Sequence, residues 1–425
     1  MAAAPAVAPE PTPWQVYRPV ASPTVPRPAL GSGFQPPQPP NAAPGPAPVF
    51  WSLPGPAQQG AGTFRGGTPL AGHVVRVGFL GPLTGPASPY GESCRRGIEL
   101  ALADAAASGA GVSFELVAVD DAGDEVKAGA GAVKLAHEDQ VVAILGAVNS
   151  ASTHVAARVA AMAGCPQITS VSTDPALTRT NNRWIFRNLA DDTLQGAALA
   201  RYLYDTRGLK RVALLHDDNR YGRGGARVIR GESERRGLPL VLDREFARGT
   251  SVFDGLAQDV AASKAEAVVI WGLFAEAADI VKALSARGIR PLVSGGDGLA
   301  SPAFLARAQA AAEGAVVTYP FDPAAANPDT RGFVERYQAR HGEPPDSFAA
   351  HSYDAAMAVV RAVREVGADR ERVRAALAGM PPSRGVAGSF ELDEAGNARA
   401  AVELAVVQDG RFRPLTPNEA LTTSR

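Results

Sequence analysis

The residues best suited to chemistry stand together at 141–153, where an apolar run gives way to Asn149, Ser150, Ser152 and Thr153, and then to an apolar helical pattern reaching Met162. A buried strand entering a hydroxyl-rich turn and then a helix leaves the first helical N–H groups without intrahelical partners. Such a turn receives a small anion, for instance a carboxylate. The same residues also read as an ordinary capped helix with nothing bound, so the rest of the chain has to choose between the two.

The elements that must hold this turn follow a regular pattern from Val74 onward. Apolar strand-like runs at 74–80, 114–119, 141–148, 167–171, 212–216, 268–273 and 292–294 alternate with Ala- and Arg-rich helical stretches. That alternation predicts parallel sheets with helices on both faces. Asp191 and Asp192 open one helix, and Gly208 closes it. The segment 388–415 instead predicts short antiparallel strands, separated by turns at 393–396 and at Asp409-Gly410. The fold class is therefore α/β, with two lobes and an antiparallel finish.

Composition narrows the function. Lys+Arg of 42 against Asp+Glu of 43 leaves a formal charge of −1, with no basic stripe interleaved with aromatics, which excludes nucleic acid as an expected partner. The histidines are scattered without metal-ligand spacing, so neither a metal nor a cofactor is expected. Cys94 and Cys165 read as small buried residues. Residues 1–73 hold 18 of the 35 prolines, no lysine and one acid, Glu10, which predicts an unstructured, polyproline-like leader. It has neither the basic start nor the unbroken apolar run of an export signal, so it reads as a tether or as a start placed downstream of the true signal.

Ligands of open α/β sheets bind beyond the carboxyl ends of the strands. Those ends carry Tyr90-Gly91, Asn149-Ser150, Ser170 to Asp174, Tyr221-Gly222, Gly272 to Glu276 and Gly295 to Gly298. The set contains hydroxyls, aromatics and a glycine-flanked carboxylate, Asp297, but no nucleophile and base with an orienting third group. That argues against an enzyme.

These residues carry a resemblance. Residues 74–415 resemble the branched-chain amino-acid (Leu/Ile/Val) binding proteins of ABC transporters, type I periplasmic binding proteins. The matching stretches include Gly81-Pro-Leu-Thr-Gly85, Tyr90-Gly91, Val119-Asp-Asp121, Leu145-Gly146 with Ser150, Phe186-Arg187, Tyr221-Gly222, Glu313-Gly314, Tyr353-Asp354-Ala355 and the run from Gly388 to Asp393. The fold it implies is two Rossmann-like lobes around a ligand cleft, with hinge crossings near Asp191, Tyr319 and Leu392. Lobe 1 would comprise 74–191 and 320–392, lobe 2 would comprise 192–319 and 393–415, and 416–425 would be a tail.

The resemblance also implies roles. Ser150 and Thr173 match donors to an α-carboxylate, the Val171 carbonyl matches an acceptor from the ammonium, and Asp297 stands where a glutamate usually pairs with it. Tyr221 matches an aromatic of the second lobe, Tyr90 the aromatic over the ligand side chain, and Phe274 a wall position often held by tyrosine. Trp271 would add apolar surface. Each has a plainer reading: Tyr221 as a helix start, Asp297 as a turn residue, Tyr90 packed on its own lobe, and Phe274 as core. Both charges of a zwitterion taken from water must be met. The predicted site does this with no surplus cation, which fits a monoamine monocarboxylate.

The function implied is extracytoplasmic capture of an amino acid, branched-chain or otherwise neutral and apolar, by a monomer that closes and delivers it to the membrane permease of an ABC importer. The periplasm or cell surface is the compartment implied. The alternatives in the same fold are a cytoplasmic or receptor-type sensor, and uptake of urea, short amides or aromatic acids.

Overall fold

The computed structural model describes residues 74–109 and 111–415, so the expectations for 1–73 and 416–425 fall outside the described residues. The first lobe opens with β1 (Val74–Gly81), α1 (Ser88–Ala107), β2 (Ser113–Asp120), α2 (Glu125–Val133), β3 (Ile144–Gly146), α3 (Ser150–Met162), β4 (Gln167–Thr169) and β5 (Ile185–Arg187). Then come α4 (Asp192–Ala200), β6 (Val212–Asp217), α5 (Arg220–Arg235), β7 (Leu242–Phe246), α6 (Asp254–Ser263), β8 (Ala267–Trp271), α7 (Phe274–Ala286), β9 (Leu292–Gly295), α8 (Pro302–Ala308) and β10 (Val316–Thr318). The chain continues with α9 (Pro328–His341), α10 (Ser347–Val366), α11 (Arg370–Ala378), β11 (Ser383–Gly385), β12 (Gly388–Leu392), β13 (Ala398–Arg399), β14 (Leu404–Gln408) and β15 (Arg411–Pro414).

The first sheet is parallel, in the order β2-β1-β3-β4-β5. The second repeats that order as β7-β6-β8-β9-β10 and adds β14 and β15 antiparallel at its β10 edge. Strand alternation explains why helices cover both faces. Val75, Val77 and Phe79 of β1 pack with α1 and α10, whereas Leu80 joins Ala128, Leu135 and Ala156 on the opposite face. In β6, Ala213 and Leu215 face α6 and α7, while Val212 and Leu214 face α4 and α5.

The expected strand at 141–148 shrinks to Ile144–Gly146. The Val141 N–H still donates to the Leu135 carbonyl of the preceding π-turn, so the chain enters the sheet late. It leaves early at Gly146, whose φ is +117° and whose added Cβ would lie 2.0 Å from the Leu80 carbonyl oxygen, a conformation and approach open only to glycine. The other expected runs also end one or two residues from their predicted limits, and β5, β7, β10 and β11 lie outside them. Asp409 and Gly410 both have positive φ, the pairing of a two-residue type I′ hairpin between β14 and β15.

Three passages link the sheets: from β5 into α4, from β10 towards α9, and from β13 to β14. The last lies beyond Arg399 and not at Leu392, because β12 continues through the 393–396 turn into a hairpin with β13. Among the described residues no helix is long and apolar enough to cross a membrane.

Candidate functional site

Both sheets switch strand order next to their first strand, and the site lies over the carboxyl ends beside those points. In the first lobe β1 leads to Tyr90 in α1, β3 to Ser150, and β4 to the loop from Val171 to Asp174. In the second, β6 leads to Tyr221, β8 to Leu273 and Phe274, and β9 to Asp297. A cavity of about 530 Å³ lies between these ends, with Tyr90, Ser150, Val171, Tyr221 and Asp297 on its walls.

Its first-lobe wall is an open helix start. Asn149 is the N-cap of α3, yet its side chain makes no capping bond, its Oδ1 is buried without a partner, and the first turn holds no acid. The hydroxyl of the buried Ser150 makes no hydrogen bond among the described residues, and the Ser152 hydroxyl is likewise unpaired. The free helical N–H groups therefore aim a partial positive charge into the cavity.

The opposing wall is acidic. Asp297 is 3% exposed and accepts from the Tyr221 hydroxyl at 2.9 Å, while its own N–H points to Gln195 Oε1 at 3.3 Å. Burial pushes its carboxyl up to about 6, against the pull of its hydrogen bonds to Gln195 and Tyr221. Asp192, the first residue of α4, does not line the cavity; it is fully buried behind the lining, near Thr173, Asp297 and the Arg187 guanidinium. Burial first, and then the neighbouring Asp297, raise it well above the ordinary carboxylate range. Asp192 escaped the sequence reading, in which an acid at a helix start counts only as cap or dipole partner. Asp191 is the actual cap, accepting from the Leu194 N–H.

Thr173 and Phe274 do not line the cavity. Thr173 sits behind it, fully buried, with its hydroxyl unpaired and its carbonyl accepting from the Asp192 N–H at 2.9 Å. Phe274 backs Tyr90 edge-on, with centroids 5.4 Å apart, and its N–H donates to the Tyr90 hydroxyl at 2.9 Å. Trp271 is buried under Tyr221. The apolar lining is instead Tyr90, Val148, Leu273 and Phe348. Phe348 comes from α10 and stacks edge-on to Tyr90 with centroids 4.8 Å apart, a contact from a distant segment that no local pattern announced.

The lobes are closed on each other. The Tyr90 hydroxyl donates to the Gly298 carbonyl at 2.7 Å while receiving the Phe274 N–H, so a first-lobe side chain satisfies two second-lobe backbone groups. Asp174 accepts from Arg220 at 2.5 Å across the cleft and pairs with His154 at 2.8 Å on its own side. These contacts hold its carboxyl well below the usual range despite its burial.

A family model described as periplasmic binding protein matches residues 74–411. The chain belongs to this family. An amino acid binding protein of Pseudomonas aeruginosa is 30% identical over 331 residues, covering 77% of this chain and 88% of the relative. The leucine-, isoleucine-, valine-, threonine- and alanine-binding protein of the same organism is 27% identical over 313 residues, covering 72% and 83%. Among solved structures, a leucine binding protein from Thermotoga maritima superposes with a TM-score of 0.75 at 27% identity, covering 81% of this chain and 99% of that one. The two lobes are those of a type I periplasmic binding protein.

In this periplasmic binding protein one buried cation organises the hinge. Arg187, wholly inaccessible, donates to Asn397 Oδ1 at 2.8 and 2.6 Å, to the Asp174 carbonyl at 2.8 Å and to the Ser172 carbonyl at 3.3 Å. It also reaches Asp191 Oδ2 at 3.5 Å. It thereby ties the loop bearing Val171 and Thr173 to both the Asp191 and the Asn397 passages between lobes.

Proposed function

We propose that this periplasmic binding protein captures an amino acid with a neutral, apolar side chain, branched-chain ones included, and delivers it to the membrane permease of an ABC importer. The observation that carries the reading is the charge layout. An unsatisfied helix start with Ser150 faces a buried Asp297 that makes no ion pair among the described residues. The α-carboxylate takes the first and the α-ammonium the second, with the Val171 carbonyl as a further acceptor. Tyr90, Val148, Leu273 and Phe348 surround the side chain, and Tyr221 orients Asp297. Thr173 and Phe274 support from behind the lining. The names of the relatives point the same way.

The protein works outside the cytoplasm as a monomeric carrier and not as a catalyst. His154 and Asp174 do form an imidazole–carboxylate pair one helical turn from Ser150, but among the described residues no hydrogen bond joins Ser150 to that imidazole, as an activated nucleophile requires. Calorimetry with leucine, isoleucine and valine tests the reading. Binding by the wild type that is lost in Asp297→Ala supports it. Unchanged affinity in that variant removes the acid from the site and the zwitterion reading with it.

A further inference from the structure

The inner site leaves the outer end of the cleft unexplained. There the cavity is lined by His154 and Arg158 of α3 and by Arg220, Arg223 and Arg227 of α5, with Arg248 beside them. The expectation of no surplus cation fails at this end. Arg220 is held by Asp174 and Arg223 by Glu245, and Arg248 reaches the Gly123 carbonyl at 3.5 Å. Arg158 and Arg227 have no ion pair or hydrogen bond among the described residues. The remaining acids of the lining, Glu125 and Asp218, make no salt bridge to either of them. In a chain of formal charge −1 this concentration is local and not a general basicity.

The placement follows from helix geometry. Both helices begin at the inner site, α3 at Ser150 and α5 at Arg220 beside Tyr221, and both run outward. Residues 154 and 158 stand one and two turns up the same face of α3, and 220, 223 and 227 follow one face of α5. Long helical side chains lean back towards the helix N-terminus, which directs Arg158 and Arg227 over the mouth and not away from it. One belongs to each lobe. Closure therefore brings two uncompensated guanidinium groups to the same cavity, where like charges oppose each other in a concave setting that concentrates anions.

We propose that the cleft mouth is an oxyanion site shared by the lobes, in which Arg158 and Arg227 take a carboxylate or phosphate group that bridges the closed form. The group is either a free anion bound beside the amino acid or the acidic end of the ligand's own side chain. An anion here removes the repulsion and adds an attraction that exists only on closure, so it raises affinity for the inner ligand, and the inner ligand raises affinity for it by the same factor.

The proposal rests on the amino-acid reading only for its choice of inner probe. Calorimetry would compare leucine in chloride and in inorganic phosphate at matched ionic strength, L-glutamate and L-2-aminoadipate against L-glutamine, and glutarate alone, in the wild type and in the double variant Arg158→Gln/Arg227→Gln. Exposed pairs of this kind are each worth a roughly 1.4-fold to fivefold change in affinity. A phosphate-dependent gain for leucine identifies a free anion, whereas a preference for glutamate or aminoadipate over glutamine identifies the ligand's own acid. Either effect must vanish in the double variant. Leucine binding that is indifferent to phosphate, together with no preference for acidic ligands, overturns the oxyanion site and leaves the amino-acid reading standing. An anion preference unchanged in the double variant also overturns it. Glutarate binding that requires the arginines, with no amino acid bound, sinks the amino-acid reading alone, and no binding by any probe sinks both.

Discussion

Ligand affinity should fall in mild acid, and the structure gives the size of the effect. In the closed cleft Asp297 is buried and its carboxyl titrates at about 6. An ammonium placed against it favours the ionised form, so binding takes up the carboxylate and releases whatever proton it carried. Above that value the carboxylate is already ionised and affinity is flat in pH as far as Asp297 is concerned. Below it each pH unit costs about tenfold, or about 1.4 kcal/mol, so leucine should bind roughly tenfold more weakly near pH 5 than near pH 7. Calorimetry in buffers of different ionisation enthalpy reads the released protons directly. Asp297→Asn should weaken binding and remove its share of the pH dependence. A dissociation constant that stays level from about pH 5 to about pH 7, with no buffer-dependent heat, would refute the assignment of Asp297 to the ammonium.

Tyr90→Phe removes the hydroxyl that satisfies the Gly298 carbonyl and the Phe274 N–H only when the lobes are closed. A buried group left unpaired costs about 1–3 kcal/mol, so affinity should drop roughly tenfold or more with the melt of the empty protein unchanged; equal affinity by calorimetry counts against the latch. Arg220→Ala breaks the pair to Asp174 across the cleft, but the guanidinium is 46% exposed, so solvent screening limits the loss to under about 1 kcal/mol and high salt should erase it. A loss that persists at high salt would mean that Arg220 acts by packing. Gly225→Ala would put a methyl 2.0 Å from the Trp271 ring, and overpacking of this kind costs about 1–3 kcal/mol, so an unchanged urea midpoint would contradict the close approach of α5 to β8. Asp217 and Asp354, buried and pushed up to about 7 by desolvation, contribute stability that is whole below their unfolded value and lost as pH rises through about 7. The empty protein should therefore melt higher near pH 5 than near pH 8, and the reverse order would show that other groups dominate.

The strand ends were legible because a parallel sheet hides its strands and exposes its loops, so apolar runs and the polar residues after them can be read directly. Ser150, Tyr221 and Asp297 stand at such ends and meet at one cavity. What stayed hidden depends on contacts far apart in sequence. Phe348 reaches Tyr90 through a passage between lobes, and Phe274, whose residue type suggested a wall, supports Tyr90 through its backbone N–H. The arginines of α3 and α5 have helical spacing that reads as a solvated face until the two helices border one cavity. Asp192 is the most instructive omission, since only its burial opposite Asp297 distinguishes it from a helix-opening acid. The two lobes supply unequal halves of the charge, donors from Ser150 and the α3 start on one side and acids on the other. A closed but empty cleft therefore buries the Asp297 carboxylate without an ion pair, at a cost of several kcal/mol, or keeps it protonated at a smaller cost set by the pH. On the proposed reading an ammonium placed against Asp297 would offset that cost, so closure would depend on the ligand through the buried acid itself, without any requirement for a spring in the hinge.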